Sequence, residues 1–403
     1  MTQNTVAKRP PLEGVHVLDL TRVLSGPYCT LLLGELGAEA IKVEQPGKGD
    51  PSRRRTAASG DKDGDRFLAW DWNRKSITLN LYEPEGLAVF KDLVGWADIV
   101  LENFRPGVME RIGIGYEALK RIKPDIILTS ISGYGQTGSY ANYPAHNTVV
   151  VAFAGLMDLN GYPEGPPLKP PGSMGDCVAG TYAALGTVAA LFRRKATGEG
   201  EHVDISMIDC VVGHFAEQFL HYKLTGESRT RSGNGSSDRS FAQVYQTADG
   251  WIYFQADLEN QWKRLAKCLG HPELLEDPEY QTEAGRATHK AELNAITNEW
   301  LKSLTKDEAF RILAEAGVPA APVNSIADIF DGSYMQERGM LREVEHPVMG
   351  LLPALGPRIH FEDTPPIEPT YPPLLGEHND AVYGSVLGYD GSKIAGLRER
   401  RII

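Results

Sequence analysis

The chain has 403 residues, and its 41 Lys and Arg stand against 53 Asp and Glu for a formal net charge of −12. Hydrophobic residues make up 42% and charged residues 23%, a globular composition that excludes a wholly disordered chain. The acidic balance argues against binding nucleic acid through overall charge, so an anionic ligand needs a local basic cluster. In chain order, Val15–Leu20 reads as a buried strand, 26–38 as a short helix and 40–44 as a second strand. Two more apolar runs, 98–102 and 125–130, each follow a helix-like stretch. Strands alternating with helices indicate parallel βαβ units, hence an α/β domain of Rossmann-like character.

Between Gly47 and Lys75 the pattern breaks into charge, Gly and Ser. Here Arg53, Arg54 and Arg55, with Arg74 and Lys75, offer the positive charge the composition lacks; a solvated basic face is the alternative. Cys177–Arg194 is an Ala-rich helix, and 203–207 a strand leading into a helix at 208–219. The Gly/Ser/Arg-rich stretch 225–240 is a linker. Beyond it, 244–256 carries two short strands around the hairpin dipeptide Asp249-Gly250. Amphipathic helices follow near 259–269, 290–304 and 306–316, and the Pro-rich 353–373 is an extended connection. Residues 1–224 thus open a large Rossmann-like domain, 225–330 form a smaller α+β domain, and 331–403 make a connection and C-terminal segment.

The scattered Cys29, Cys177, Cys210 and Cys268 form no CxxC pair, which suits free thiols in a reducing compartment. No signal region or run of ~18 apolar residues is present, so a soluble, cytoplasmic protein with neither membrane nor nucleic-acid partners is expected. Gly133-Tyr-Gly135-Gln-Thr-Gly138 formally matches a dinucleotide fingerprint. That fingerprint needs a helix opening at its end, and the SYANYP that follows opens none promptly; the glycines fit an active-site loop better. HExxH, GxSxG and P-loop patterns are all missing, leaving carboxylate or histidine chemistry without a metal. Asp176 follows Gly172-Ser-Met-Gly175 and precedes the Cys177 helix, an N-cap position. It reads either as an ordinary cap or as an ionised, accessible carboxylate able to act as a covalent nucleophile.

Several motifs carry a resemblance: PLEGVHVLDLTRVLSGPYCTLLLGELGAEAIKVEQPGKGD at the start, then NRKSITLNL, ADIVLENFRPGVMERIG, GSMGDCVAGTYAALG, RKATGEGEHVDISMIDC and PLLGEH. Together they are similar to the family III CoA-transferases, the superfamily of formyl-CoA transferase and carnitine CoA-transferase, over nearly the whole chain. The resemblance implies a Rossmann-like large domain plus a smaller α+β domain in an interlocked, ring-through-ring dimer, with the C-terminal segment returning to the large domain. A homodimer or a heteromer with a similar subunit is implied.

Carried over by motif, Asp176 is the nucleophile. It would attack an acyl-CoA thioester to give a mixed aspartyl anhydride and free CoA thiolate, with passage through an aspartyl-CoA thioester. The loops at Gly133–Gly138 and Gly233–Gly235 would supply oxyanion donors. Leu24, Ser25, Leu79, Asn80, Asn103, Phe104, Arg105 and Arg111 would border CoA, while Gln45 stands where some members have Arg. CoA thioester is expected as substrate, with no permanently bound cofactor and no metal. Succinyl-CoA is the suggested donor and a small carboxylic acid the acceptor.

His146 stands in place of a characteristic Tyr. The 2-methylacyl-CoA racemases of the same superfamily carry a His in a similar context, and Glu259 also resembles a racemase motif. An epimerase using His146 and Asp176 is therefore the alternative. Against it, the long 47–75 segment matches transferases, and SDRSFAQVY replaces the racemase GGAPF stretch. GNGSSDRS at 233–240 replaces the glycine run of formyl-CoA transferase, pointing to a bulkier acid.

Overall fold

The computed structural model describes residues 9–54, 63–235 and 241–403, so Arg55 and residues 236–240 of the sequence reading lie outside it. The chain forms two compact units. One comprises Met1–Leu156, Pro170–Leu224 and Ser333–Ile403; the other comprises Met157–Lys169 and Thr225–Gly332.

The first unit is built on a six-stranded parallel sheet of order β3-β2-β1-β4-β5-β6. Its strands are β1 (His16–Asp19), β2 (Glu39–Glu44), β3 (Lys75–Thr78), β4 (Ile99–Glu102), β5 (Ile127–Ser132) and β6 (Glu201–Ser206). Successive strand residues point to opposite faces, so a strand covered on both sides must be apolar throughout. Leu18, Val100 and Leu128 accordingly join one core with Phe90 and Leu93 of the helix Pro84–Trp96. Their neighbours Val17, Ile99 and Ile127 join a second core with Leu33, Ala179 and Ala183. The mixed α/β class with a parallel central sheet agrees with the sequence reading. Strand β3 was not foreseen, because the basic NRKS hides its short apolar core.

The C-terminal segment closes the first core through Val382, Tyr383, Ile394, Leu397 and Ile402. Tyr383 Oη donates to the Thr78 carbonyl at 2.6 Å, and the Asn80 N–H donates to the Ile402 carbonyl at 2.8 Å. An antiparallel hairpin, Leu341–His346 with Gly350–Leu355, precedes the Pro-rich connection.

The Ala-rich helix runs from Met174 to Thr197, longer at both ends than its sequence pattern. By length and composition it could cross a membrane, but half of that stretch is buried in protein. It crosses the helix Ser25–Glu35 closely: a Cβ on Gly180 would lie 2.6 Å from the Ser25 carbonyl oxygen. The four cysteines are free thiols.

In the second unit β7 (Ala242–Gln246), β8 (Trp251–Gln255) and β9 (Ala320–Pro322) form an antiparallel sheet. The helices Glu259–Cys268, Lys290–Leu301 and Lys306–Glu315 cover it around Trp262, Leu265, Leu293 and Leu313. Residues 157–169, read from sequence as part of the first segment, pack here instead. Arg231 pairs with Asp158 at 2.7 Å, and the Gly233 N–H donates to the Gly161 carbonyl at 2.9 Å.

Candidate active site

Loops leaving the carboxyl ends of β1, β2, β3 and β4 enclose a cavity of about 780 Å3. Ligands of open parallel sheets bind at this edge, where the strand order reverses, here between β1 and β4. Leu79 and Phe104, both picked from sequence, line it, as does Gln45. Asn103 braces the rim instead: its Oδ1 accepts from the Arg22 N–H at 2.8 Å, and its Nδ2 donates to the Arg22 carbonyl at 2.8 Å and Ser25 Oγ at 3.2 Å. Leu24 and Ser25 are buried behind that rim. Asn80 is turned away, its side chain accepting from the Tyr82 N–H at 3.2 Å. Arg105 and Arg111 are exposed and do not line the cavity. Next to Phe104, burial pushes the Glu102 carboxyl up to about 7, and its Oε2 accepts from the Phe104 N–H at 2.6 Å.

The basic run needs correcting. Arg53 is buried, forked onto Glu44 at 2.7 Å and paired with Asp63 at 2.7 Å, its guanidinium 3.5 Å from the Phe67 ring centroid. Arg74 is fully buried against Asp19 at 3.0 Å and Asp71 at 3.1 Å. Lys75 pairs with Glu39 at 2.5 Å. A buried cation on the first Arg of the run is held by its own carboxylates and offers nothing to a phosphate. The cavity takes its positive charge from Arg22, Lys48 and Arg54, which are exposed on its lining and carry no carboxylate partner among the described residues. The Arg22 guanidinium lies 4.7 Å over the Phe104 ring. Arg22 and Lys48 were missed because single cations in a strand-end loop leave no pattern. One signal existed: Arg22 follows Thr21, three residues past the end of β1, where the loop must turn across the edge. The next residue, Val23, holds φ 67°, a strained value for a β-branched side chain, and its N–H donates to the Asp50 carboxylate at 3.2 Å.

Asp176 is the third residue of its helix rather than the N-cap. Its half-buried carboxyl is pushed up to about 6 by burial, while Arg66 and His146 draw it down. On sequence the helix N-terminus is expected to keep this carboxylate ionised; burial instead is the largest influence and raises its pKa. His146 is the residue preceding the helix Asn147–Phe153, in extended backbone. Asn147 Oδ1 accepts from the Gly175 N–H at 2.8 Å. In the loop Gly133–Gly138 the Gln136 N–H is committed to the Asp204 carboxylate at 3.0 Å, and no helix opens before Asn147, which disqualifies the dinucleotide fingerprint. Glu259 lies in the second unit, exposed and paired with Lys263 at 2.8 Å. Gly233 and Gly235 belong to that unit too, Gly233 at φ 66° against the Tyr162 ring.

The description "CoA-transferase family III" matches residues 12–379. The chain is 36% identical to the succinyl-CoA–D-citramalate CoA-transferase of Chloroflexus aurantiacus, over 98% of this chain and 100% of that one. It is 34% identical to the succinyl-CoA:glutarate CoA-transferase of Mus musculus, over 96% and 89%. A CAIB/BAIF family protein from Brucella suis superposes with a TM-score of 0.84 at 33% identity, covering 94% of this chain and 100% of that one. The chain belongs to CoA-transferase family III, enzymes that move CoA between carboxylic acids.

Proposed function

We propose that this enzyme moves CoA from succinyl-CoA to a second dicarboxylic acid, with Asp176 as covalent nucleophile. The observation that carries the reading is Asp176 itself: a half-buried carboxylate in the first turn of a long helix, raised to about 6 and so both ionised at neutral pH and more nucleophilic than an exposed one. The relatives act with succinyl-CoA or succinate on citramalate, glutarate, malate and mesaconate, which supports a dicarboxylate acceptor. Those names favour group transfer over epimerisation.

In this reading the Asp176 carboxylate attacks the thioester carbonyl, forming a succinyl–aspartyl anhydride and expelling CoA thiolate. The thiolate attacks the aspartyl carbonyl, giving an aspartyl-CoA thioester and succinate. The acceptor carboxylate attacks that thioester, giving an acceptor–aspartyl anhydride and CoA thiolate again. Attack of the thiolate on the acceptor's carbonyl then yields acceptor-CoA and restores Asp176. Arg22, Lys48 and Arg54 hold the CoA phosphates, since each is an exposed cation with no carboxylate partner among the described residues, on a cavity of fitting size. Arg66, exposed on the helix Asp65–Trp70, attracts the second carboxylate.

The interlocked dimer and the large and small domain layout belong to the same reading. Leu185 and Phe192 are 63% and 77% exposed on the Asp176 helix, and Phe219, Leu220 and Leu224 lie exposed on Ala216–Thr225, as a partner surface requires. The α and β subunits among the relatives support a heteromer as the alternative. The deciding experiment mixes the enzyme with succinyl-CoA and a panel of C4–C6 acids and reads the products by mass spectrometry. New acyl-CoA with equimolar succinate is expected, and a CoA adduct on Asp176 in quenched enzyme. Turnover unaffected by Asp176→Ala would end the proposal.

A further inference from the structure

The helix that carries Asp176 does not cap itself. Ser173 occupies the N-cap with φ −118° and ψ 51°, and its side chain makes no capping bond. The first N–H groups of a helix have no partner within it, so something else must accept them. Here a side chain from another helix does so. Asn147 Oδ1 accepts from the N–H of Gly175 at 2.8 Å and from that of Asp176 at 3.4 Å, while Asn147 Nδ2 donates to the Gly172 carbonyl at 3.3 Å. One amide therefore ties the backbone on both sides of Ser173 to a single point. Position 175 must be small for this to work: a Cβ there would stand 3.1 Å from Asn147 Oδ1 and 3.3 Å from Val150 Cγ1.

We propose that Asn147 is a positioning residue of the transfer reaction: its side-chain amide fixes the backbone at Gly175 and Asp176, aiming the carboxylate, and does so without a charge of its own. This rests on Asp176 being the nucleophile. The neutrality is part of the role. Asp accepts from helix N–H groups as well as Asn does, but only the amide also donates to the Gly172 carbonyl, and it does so uncharged. The groups acting on Asp176 are Arg66, from the helix Asp65–Trp70, and His146, adjacent to Asn147. Its neighbour Cys177 feels Asp176 and Arg358, and Tyr28 on the helix Ser25–Glu35 feels Arg358, Cys177 and Glu35. A carboxylate at 147 would place a negative charge against the nucleophile's backbone and favour its protonated form.

The test compares Asn147→Ala, Asn147→Asp and Asp176→Ala by steady-state kinetics across pH, thermal melting, and intact-mass detection of enzyme-bound CoA. Asn147→Ala is expected to lower kcat about 100-fold with KM little changed, as a displaced reacting group does. Asn147→Asp keeps the acceptor for the Gly175 N–H while losing the donor to the Gly172 carbonyl, and its acid limb moves up by about one pH unit. That second variant decides the matter even where the alanine variant fails to fold. Asn147→Asp with an unmoved pH profile, or Asn147→Ala with normal kcat per folded molecule, overturns the proposal while an inactive Asp176→Ala leaves the nucleophile standing. Activity in Asp176→Ala overturns both.

Discussion

Arg74 Nη1 lies 3.0 Å from Asp19 Oδ2, and neither side chain is exposed to solvent. Arg74 also donates to the carbonyls of Pro27 at 2.8 Å and Trp70 at 3.1 Å, so its guanidinium stitches the end of β1, the first helix and the 65–75 segment together. Lys42, fully buried beside it, meets Asp50 at 2.9 Å and Asp71 at 3.2 Å. Burial disfavours the Lys42 charge, but the surrounding carboxylates outweigh it and hold the ammonium well above its ordinary range. These are structural cations that shape the floor of the ligand cavity without entering it.

Removing one member of such a group leaves a buried charge uncompensated, which costs about 3–5 kcal/mol. Arg74→Met is therefore expected to lower the urea midpoint by that equivalent. Arg105→Ala, on the surface, is expected to stay within about 0.5 kcal/mol of the parent. Equal melts for the two variants would remove the structural role from Arg74.

The cavity cations give the opposite pattern. Arg22→Ala, Lys48→Ala and Arg54→Ala each remove an exposed charge, so melting is unchanged while KM for succinyl-CoA rises about tenfold with kcat preserved. A succinyl thioester of pantetheine, which lacks the nucleotide phosphates, is expected to show no such penalty. A penalty of the same size for both thioesters would place these residues somewhere other than at the phosphates.

Which cations are free could not be read from the sequence. The run Arg53-Arg54-Arg55 looks uniform, yet Arg53 is sealed by Glu44 and Asp63 over the Phe67 ring while Arg54 stays exposed. What was legible had a local cause. The strands β1, β4 and β5 carry short apolar runs at their buried centres, and the Asp176 helix is Ala-rich. The start of that helix was not legible, because its cap comes from Asn147, 28 residues before Gly175. The motif resemblance pointed to Asp176 as the candidate nucleophile, but not that burial makes it a weaker acid.

That acidity has two consequences of definite sign. With Asp176 as the proposed nucleophile the carboxylate is the reactive form, so kcat/KM is expected to fall as pH drops through about 6. For stability the folded value lies above the unfolded one, so the protonated form favours the fold. The contribution is complete below the unfolded value near 3.8 and lost as pH rises through about 6, which makes the ionised group a burden above that. Asp176→Asn is therefore expected to abolish turnover and raise Tm by roughly 1–3 °C at pH 8, with the gain fading toward pH 4. A Tm difference independent of pH would show that the carboxyl is not perturbed.

The Asp176 helix and the cavity rim are joined at one crossing. Gly180 lies one turn beyond Asp176, and a Cβ on it would meet the Ser25 carbonyl at 2.6 Å and Tyr28 Cδ1 at 3.0 Å. Backbone cannot yield as a flexible side-chain tip can, so any larger residue must push the two helices apart. Ser25 holds Asn103 Nδ2, which in turn holds the Arg22 loop, so the displacement passes from the helix to the cavity's cation. Gly180→Val is expected to cost about 1–3 kcal/mol in stability. It is also expected to lower kcat and raise KM for succinyl-CoA together, whereas Asn147→Ala changes kcat alone and Arg22→Ala changes KM alone. Fluorescence-monitored unfolding with steady-state kinetics on the three variants separates the cases, and a Gly180→Val enzyme of normal stability and normal KM would show that the crossing does not transmit.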